Sequence, residues 1–265
     1  MSDPDPTDAI RLDLHGHRVL VTGGGQNIGR AIVLAFAAAG ADVVVNDIDG
    51  ERAGAVADEA RALGVDAATA VFDVTDYDQV LAAFAANDDV DVLVNNAGNA
   101  GAAGFGAMGE FSESDPADWE PFLKINLYGV MHACRAALPA MKAKGWGRIV
   151  TIVSDAGRVG DAQMAAYSAS KAGAAGLTRA LARESGRYGI TVNNISLGTM
   201  RTPQTDPFWS DADNPQAKAM MRSYVVRRPG TPEDVAPLTL FLASEHGAWI
   251  TGQTYPLNGG FSLGL

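Results

Sequence analysis

Short runs of β-branched residues alternate with alanine-rich stretches of helical period along nearly all of this chain, and no other feature limits the fold as much. Residues 18–23, 42–47, 68–74, 90–98, 147–154, 190–196 and 251–260 read as strands. Residues 27–41, 51–64, 76–87, 165–188 and 232–244 read as helices, and a long helical stretch lies within 115–144, with Pro139 near its end. The strands are near-continuous valine and isoleucine runs, the pattern of strands covered on both faces. Strand–helix alternation at this spacing predicts right-handed crossovers and a parallel, doubly wound sheet between two helical layers. An irregular, proline-containing segment from 203 to 230 interrupts the alternation. No repeat, low-complexity tract or linker divides the chain. The expectation is a flexible tail over 1–13 and one α/β domain over 14–265, a three-layer sandwich on a single, mostly parallel sheet of about seven strands.

Charge and cysteine content remove several function classes. The formal net charge is −11, which disfavours nucleic acid and anionic membrane surfaces as partners. The one cysteine, Cys134, has no internal disulfide partner and reads as an inert core thiol; no cysteine cluster or supported histidine suggests a metal, and none is expected. His15 and His17 read as surface groups, and the acidic run 87–91 as a solvated loop. The start of the chain lacks a signal-peptide pattern, no apolar run is long enough for a bilayer, and a reducing, cytoplasmic setting is expected.

Four glycines fall within VTGGGQNIGR, residues 21–30, between the first strand and the first helix. A helix N-terminus offers free N–H groups and partial positive charge to a pyrophosphate, and glycines let the backbone come close. The second strand then ends on Asp47, 18 residues after Gly29, where a carboxylate meets the ribose hydroxyls of a bound dinucleotide. Gly23, Gln26, Asn27, Ile28 and Gly29 are thus candidate cofactor residues together with Asp47 and Ile48. Asn27 stands between glycines, and among residues with side chains asparagine best tolerates left-handed backbone. We expect Asn27 to keep the loop's shape and to donate a hydrogen bond at the cofactor.

The loop TGGGQNIG resembles the T-G-x-x-x-G-x-G loop of the short-chain dehydrogenase/reductase family, with Asn27 in place of its middle glycine. The resemblance runs through DV at 73–74, NNAG at 95–98, INLYGV at 125–130, Ser154, the pair Tyr167 and Lys171 in YSASK, and ITGQTYPLNGG near the end, covering roughly residues 14–261. It implies a Rossmann-type fold, with Asp73 and Val74 flanking the adenine and Asn96, Ala97 and Gly98 beside the cofactor. It also implies that Gly198, Thr199 and Thr202 contact the nicotinamide, that Asn126 anchors a proton-relaying water, and that the chain forms a homotetramer. Where the family has proline before Gly198 this chain has Leu197, which restores an N–H and is expected to free the turn.

Tyr167 and Lys171 are four residues apart and share a helix face. Hydride transfer from an alcohol needs a base for the hydroxyl proton, and a nearby ammonium is expected to lower the phenol's pKa towards that task. Ser154 ends the fifth strand, where ligands of open parallel sheets gather, and its hydroxyl is expected to hold the substrate oxygen. Asn126, Ser154, Tyr167 and Lys171 form the candidate catalytic set, and Tyr167 and Lys171 also face the cofactor. Asp47 followed by Ile48 and Asp49, with Gln26 in the loop, predicts NAD(H) in preference to NADP(H).

Specificity is expected from segments 99–109, 155–164 and 203–228, the last a mobile lid. Ser154, Gln163, Met164, Phe208 and Trp209 are candidate substrate-lining residues and favour a bulky, mostly apolar alcohol or ketone, alicyclic or terpenoid. Arg158, Arg201, Arg222, Arg227 and Arg228 are either surface groups or a seat for an anionic thioester tail. A 3-oxoacyl-thioester reductase, for an acyl carrier protein or coenzyme A, is therefore the alternative, and a non-catalytic dinucleotide-binding protein the third reading.

Overall fold

The computed structural model describes residues 12–99, 106, 108–211 and 213–263. Its strands are β1 (Arg18–Val21), β2 (Asp42–Asp47), β3 (Ala67–Val71), β4 (Val92–Asn95), β5 (Gly147–Ser154), β6 (Ile190–Leu197) and β7 (Thr254–Leu257). They form one seven-stranded sheet in the order β3-β2-β1-β4-β5-β6-β7, and every neighbouring pair is parallel. Strand order reverses between β1 and β4, which opens a crevice at the carboxyl ends of the strands.

Alternation along each strand splits the core in two. Val19, Val21, Val43 and Val45 face a cluster that includes Ile32, Val33 and Phe36 of α1 (Asn27–Ala38) and Leu242 of α10 (Pro232–Ala243). Leu20 and Val44 face the other layer, with Val80 and Phe84 of α3 (Tyr77–Ala86) and Leu138 and Met141 of α5 (Val130–Lys144). Phe36 is fully buried, so cutting it to alanine would cost about 3–5 kcal/mol. Helix starts are set by local chemistry. Asp49 accepts from Glu51 and Arg52 N–H at the start of α2 (Gly50–Arg61), Asp76 accepts from Asp78 and Gln79 N–H at α3, and Thr231 with Asp234 forms a capping box at α10. Gly145, at φ +70°, ends α5 in the left-handed conformation. No helix among the described residues is long and apolar enough to cross a membrane.

The long helix is found with a local irregularity, and four other sequence expectations are corrected. The helical stretch expected within 115–144 is present, and α4 (Pro116–Leu123) passes through a π turn, Lys124–Gly129, into α5. The turn is where Asn126 bonds back to Phe122 O and where a Cβ on Gly129 would come within 2.9 Å of Val74 Cγ2; such bulges gather at functional sites. Segment 203–230 holds two helices, α8 (Asp206–Ser210) and α9 (Pro215–Ser223), because Pro207 and Pro215 stand in first turns, where proline is tolerated. Leu197 does not free its turn; it extends β6 into register with Ser154 and Leu257. Asp91 is buried instead of solvated, accepting from Arg18 N–H and Lys144 Nζ, and His17 stacks on Trp146 with ring centroids 4.2 Å apart. The tail over 1–11, residues 100–105 and 107 of the first specificity segment, and the last two residues lie outside the described residues.

Candidate active site

The carboxyl end of β1 turns into α1, and at two of its glycines there is no room for a side chain. A Cβ on Gly29 would lie 2.0 Å from Gly23 O, and one on Gly25 would lie 2.6 Å from Asp47 Oδ2. Asn27 has φ +48°, the left-handed value expected for it. Its amide, however, donates to Gln204 Oε1 at 3.0 Å, so it bridges the glycine turn to the segment before α8. Gln26 is exposed and places no side chain over the first turn of α1, whose leading N–H groups therefore stay free, unlike those of α2 and α3. Ile28 is partly buried against the core. These residues fit a pyrophosphate: a close backbone, a helix N-terminus with open donors, and no acid in its first turn.

Neighbouring strand ends lock this turn. Thr22 Oγ1 accepts from the N–H groups of Asn96 and Ala97 at 3.0 and 3.1 Å, and Asn96 Nδ2 donates to Thr22 O and Gly23 O, both at 3.0 Å. Asp47 is 4% exposed and accepts from Gly25 N–H at 3.2 Å, Asp49 N–H at 3.0 Å and Arg52 Nη2 at 2.7 Å. Ile48 beside it is 60% exposed. Half-buried Asp73 bonds Thr75 N–H, and Val74 packs on Gly129. Sequence reasoning missed Arg52 and Thr22. Arg52 was recoverable, since it lies five residues after Asp47 in the first turn of α2.

Ser154 ends β5, and the buried face of α7 (Ala165–Ser185) carries Tyr167 and Lys171 to meet it. Ser154 Oγ accepts from Ala156 N–H at 3.2 Å and is near enough to Tyr167 to bear on its titration. The Phe122 ring edge covers the Tyr167 ring at 5.9 Å. Lys171 Nζ donates to Ile152 O at 3.0 Å and lies 5.9 Å from the Tyr167 ring centre. A Cβ on Gly98 would lie 3.1 Å from both Lys171 Nζ and Asn126 Oδ1, so glycine is what lets these groups converge. Asn126 Oδ1 accepts from Asn99 N–H at 2.9 Å, and its amide donates to Asn99 O and Phe122 O at 2.8 and 3.0 Å. The Asn126 side chain is therefore engaged with backbone, holding the 98–99 turn in place.

Burial, not an adjacent ammonium, dominates the Tyr167 phenol. It pushes the pKa up, the Ser154 hydroxyl pulls it back, and the Asp161 carboxylate raises it further. This corrects the expectation that Lys171 lowers it. Lys171 is itself fully buried, and its pKa is brought down to about 8 by desolvation. Cys134, between α5 and the sheet, is pushed up to about 12 by burial, in keeping with an inert thiol. No cluster among the described residues has the makings of a metal site.

A cavity of about 260 Å³ adjoins Tyr167, with Gln163 and Met164 on one side and Phe111, Trp119 and Phe122 on the other. Gln163 has φ +68°, an uncommon conformation for a residue with a side chain, and accepts from Gly109 N–H at 3.1 Å. Phe208 and Trp209 do not line this cavity; they pack on each other 4.9 Å apart in α8. Gly198 N–H donates to Leu257 O at 3.2 Å, Thr199 N–H to Tyr224 Oη at 2.8 Å and Thr202 N–H to Thr205 Oγ1 at 2.8 Å, which fixes the turn after β6. Arg158, Arg201 and Arg228 are ion-paired to Asp155, Asp206 and Asp234, and Arg227 bonds the carbonyls of Met221 and Arg222.

The family profile described as enoyl-(acyl carrier protein) reductase matches residues 23–262. The chain is 38% identical over 259 residues to the (2S)-[(R)-hydroxy(phenyl)methyl]succinyl-CoA dehydrogenase subunit BbsD of Thauera aromatica, covering 95% of this chain and 99% of that one. It is 35% identical to the 7alpha-hydroxysteroid dehydrogenase of Escherichia coli, covering 96% of both chains. A gluconate 5-dehydrogenase from Burkholderia cenocepacia, solved in complex with NADP and tartrate, superposes with a TM-score of 0.87 at 31% identity, over 96% of this chain and 98% of that one.

Proposed function

The chain belongs to the short-chain dehydrogenase/reductase family, and on that premise we propose that it interconverts a secondary alcohol and its ketone with NAD(H), Tyr167 serving as general acid and base. The observation that carries this reading is that Tyr167 and Lys171 lie one turn apart on the same buried face of α7, with Lys171 Nζ anchored to Ile152 O of β5, the strand that ends on Ser154. The dinucleotide, when bound, supplies the hydride acceptor or donor. The glycine turn and the open N–H groups of α1 would hold its pyrophosphate, and Asp47 its adenosine ribose.

In the oxidising direction Tyr167 Oη takes the proton of the alcohol hydroxyl, and in the reducing direction it returns that proton to the carbonyl oxygen. Ser154 holds the same oxygen by hydrogen bonding. Burial keeps the phenol protonated near neutral pH, which suits the acid role, and the base role grows as pH rises. Lys171, titrating at about 8, is placed to exchange a proton in the working range.

NAD(H) is favoured because a 2′-phosphate would have to lie against the carboxylates of Asp47 and Asp49. Arg52 offsets part of that repulsion, so the preference is finite. The relative solved with NADP marks this as the point to measure. The aromatic and methionine walls of the cavity favour an apolar ring or aryl substrate. An anionic thioester is disfavoured because Glu110, Glu113 and Asp118 line the same cavity, no arginine lines it, and Arg158, Arg201 and Arg228 are ion-paired. A survey of alicyclic, terpenoid, steroid and aryl alcohols against 3-hydroxyacyl thioesters, each with NAD and NADP, tests the proposal by nicotinamide absorbance. Turnover of a free alcohol with NAD supports it; turnover of thioesters alone overturns it.

A further inference from the structure

Asp155 follows Ser154 directly and is 3% exposed. Its Oδ1 accepts from Ser196 Oγ of β6 at 2.6 Å and from Arg158 Nη1 at 3.0 Å. Its Oδ2 accepts from Asn258 Nδ2 at 2.5 Å and from Ser262 Oγ at 2.8 Å. The Asp155 N–H donates to Leu197 O at 3.0 Å. One buried carboxylate thus joins the end of β5, the end of β6, the turn of α6 (Ala156–Val159) and the C-terminal segment 258–262.

The C-terminal segment carries the tie outward. Gly259 O accepts from Val226 N–H at 2.8 Å, and Phe261 packs on Tyr224 with centroids 5.7 Å apart. Gly259 and Gly260 have φ +59° and +81°, and a Cβ on Gly260 would lie 2.7 Å from Val225 Cβ, so the segment turns tightly against the irregular end of the 203–228 segment. Tyr224, itself 3% exposed, accepts from Thr199 N–H. The chain of contacts runs from beside the reacting serine, through Asn258 and Gly259, to the turn after β6.

We propose that Asp155 is a positioning residue for the reaction. Its carboxylate fixes Ser154 against the C-terminal segment and, through Tyr224, holds the Gly198–Thr199 turn. It touches no reacting atom. The inference rests on the alcohol–ketone reading for its effect on rate, but its effect on the fold is separate. Four donors converge on two carboxylate oxygens, so an amide does not replace the group: in either orientation its NH2 faces an obligate donor, the NH2 of Asn258 or the guanidinium of Arg158. Two buried donors set against each other lose their hydrogen bonds and are strongly disfavoured.

The test is a swap. Asp155→Asn places donor against donor, Asn258→Asp places carboxylate against carboxylate, and the combined variant restores one donor and one acceptor in reverse order. Each single variant should lower kcat by at least about tenfold, since sub-ångström misplacement of reacting groups has effects of that size. In the protein without dinucleotide, amide hydrogen exchange should quicken at 198–199, 224–226 and 258–262 and stay unchanged at 23–29. The combined variant should regain part of both, because Ser262 O, which accepts from Asn258 Nδ2, then faces a carboxylate oxygen. Ser262→Ala, which removes one donor, should show the same exchange pattern in weaker form if a single variant fails to fold. Wild-type kcat and exchange in Asp155→Asn overturn the proposal; so does a loss with exchange rising equally at 23–29 and no recovery in the combined variant. Tyr167→Phe is measured alongside: if it leaves turnover intact, the alcohol–ketone reading fails, while the exchange pattern still decides the role of Asp155.

Discussion

Asp47→Ser should turn the cofactor preference from NAD(H) towards NADP(H). Asp47 ends β2 with its carboxylate held by Gly25 N–H, Asp49 N–H and Arg52. Hydrogen bonds from ribose hydroxyls to a carboxylate contribute about 1.5–3 kcal/mol each, and serine keeps part of one, so NAD should lose about 2 kcal/mol. Repulsion between the Asp47 carboxylate and the 2′-phosphate, taken as one unit pair of like charges at contact in a partly solvated site, is about 4 kcal/mol. Arg52, paired with Asp47 at 2.7 Å and 36% exposed, offsets roughly half of that. Serine removes the carboxylate and releases Arg52 to the phosphate, so NADP should gain about 2 kcal/mol. Together the ratio of kcat/KM for NAD over NADP should fall by about a thousandfold. Steady-state kinetics with both cofactors at fixed ionic strength reads it directly. A wild-type enzyme that already prefers NADP, or a ratio unmoved by Asp47→Ser, refutes the reasoning; Arg52→Ala in the same assay should weaken NADP more than NAD.

Three further outcomes are expected. Asp161→Asn should move the rise of oxidation rate with pH to lower pH, because the Asp161 carboxylate disfavours the Tyr167 phenolate; a rate profile that stays put or moves up contradicts this. Lys171→Met should abolish turnover yet raise Tm at neutral pH. The Lys171 pKa falls from 10.5 to about 8 on folding, so the unfolded chain binds more protons between those values and wild-type stability climbs with pH across that window. The variant should lose that climb, and an unchanged slope contradicts the burial. Gly29→Ala should destabilise by at least about 2 kcal/mol and remove dinucleotide binding in a fluorescence titration, since its Cβ would meet Gly23 O; wild-type affinity would refute the cradle.

Periodicity made the sheet legible because its central strands are buried on both faces, as in the valine run Val43–Val45, whereas the edge strands β3 and β7 are partly exposed. The glycine turn and Asp47 were legible because phosphate and ribose chemistry leaves few residue choices at those points. What the sequence hid were contacts between distant segments. The π turn at Asn126 depends on Asn99 and Phe122 carbonyls that no local pattern reports. Arg52 beside Asp47, Gln204 beside Asn27 and the Asp155 cluster are all tertiary pairings. The upward shift of Tyr167 was misjudged because proximity in sequence suggested Lys171, while burial and Asp161 dominate in the folded chain. Segment 203–230 reads as irregular from its sequence, though Pro207 and Pro215 each stand where a helix begins.

The most direct test of the central claim is the turnover of a secondary alcohol with NAD by wild-type protein and by Tyr167→Phe, with dinucleotide affinity measured on both. The account predicts that removing the one phenol oxygen leaves affinity within about threefold and lowers kcat by about a hundredfold or more, the scale of a lost general acid and base. Undiminished kcat in Tyr167→Phe would contradict it.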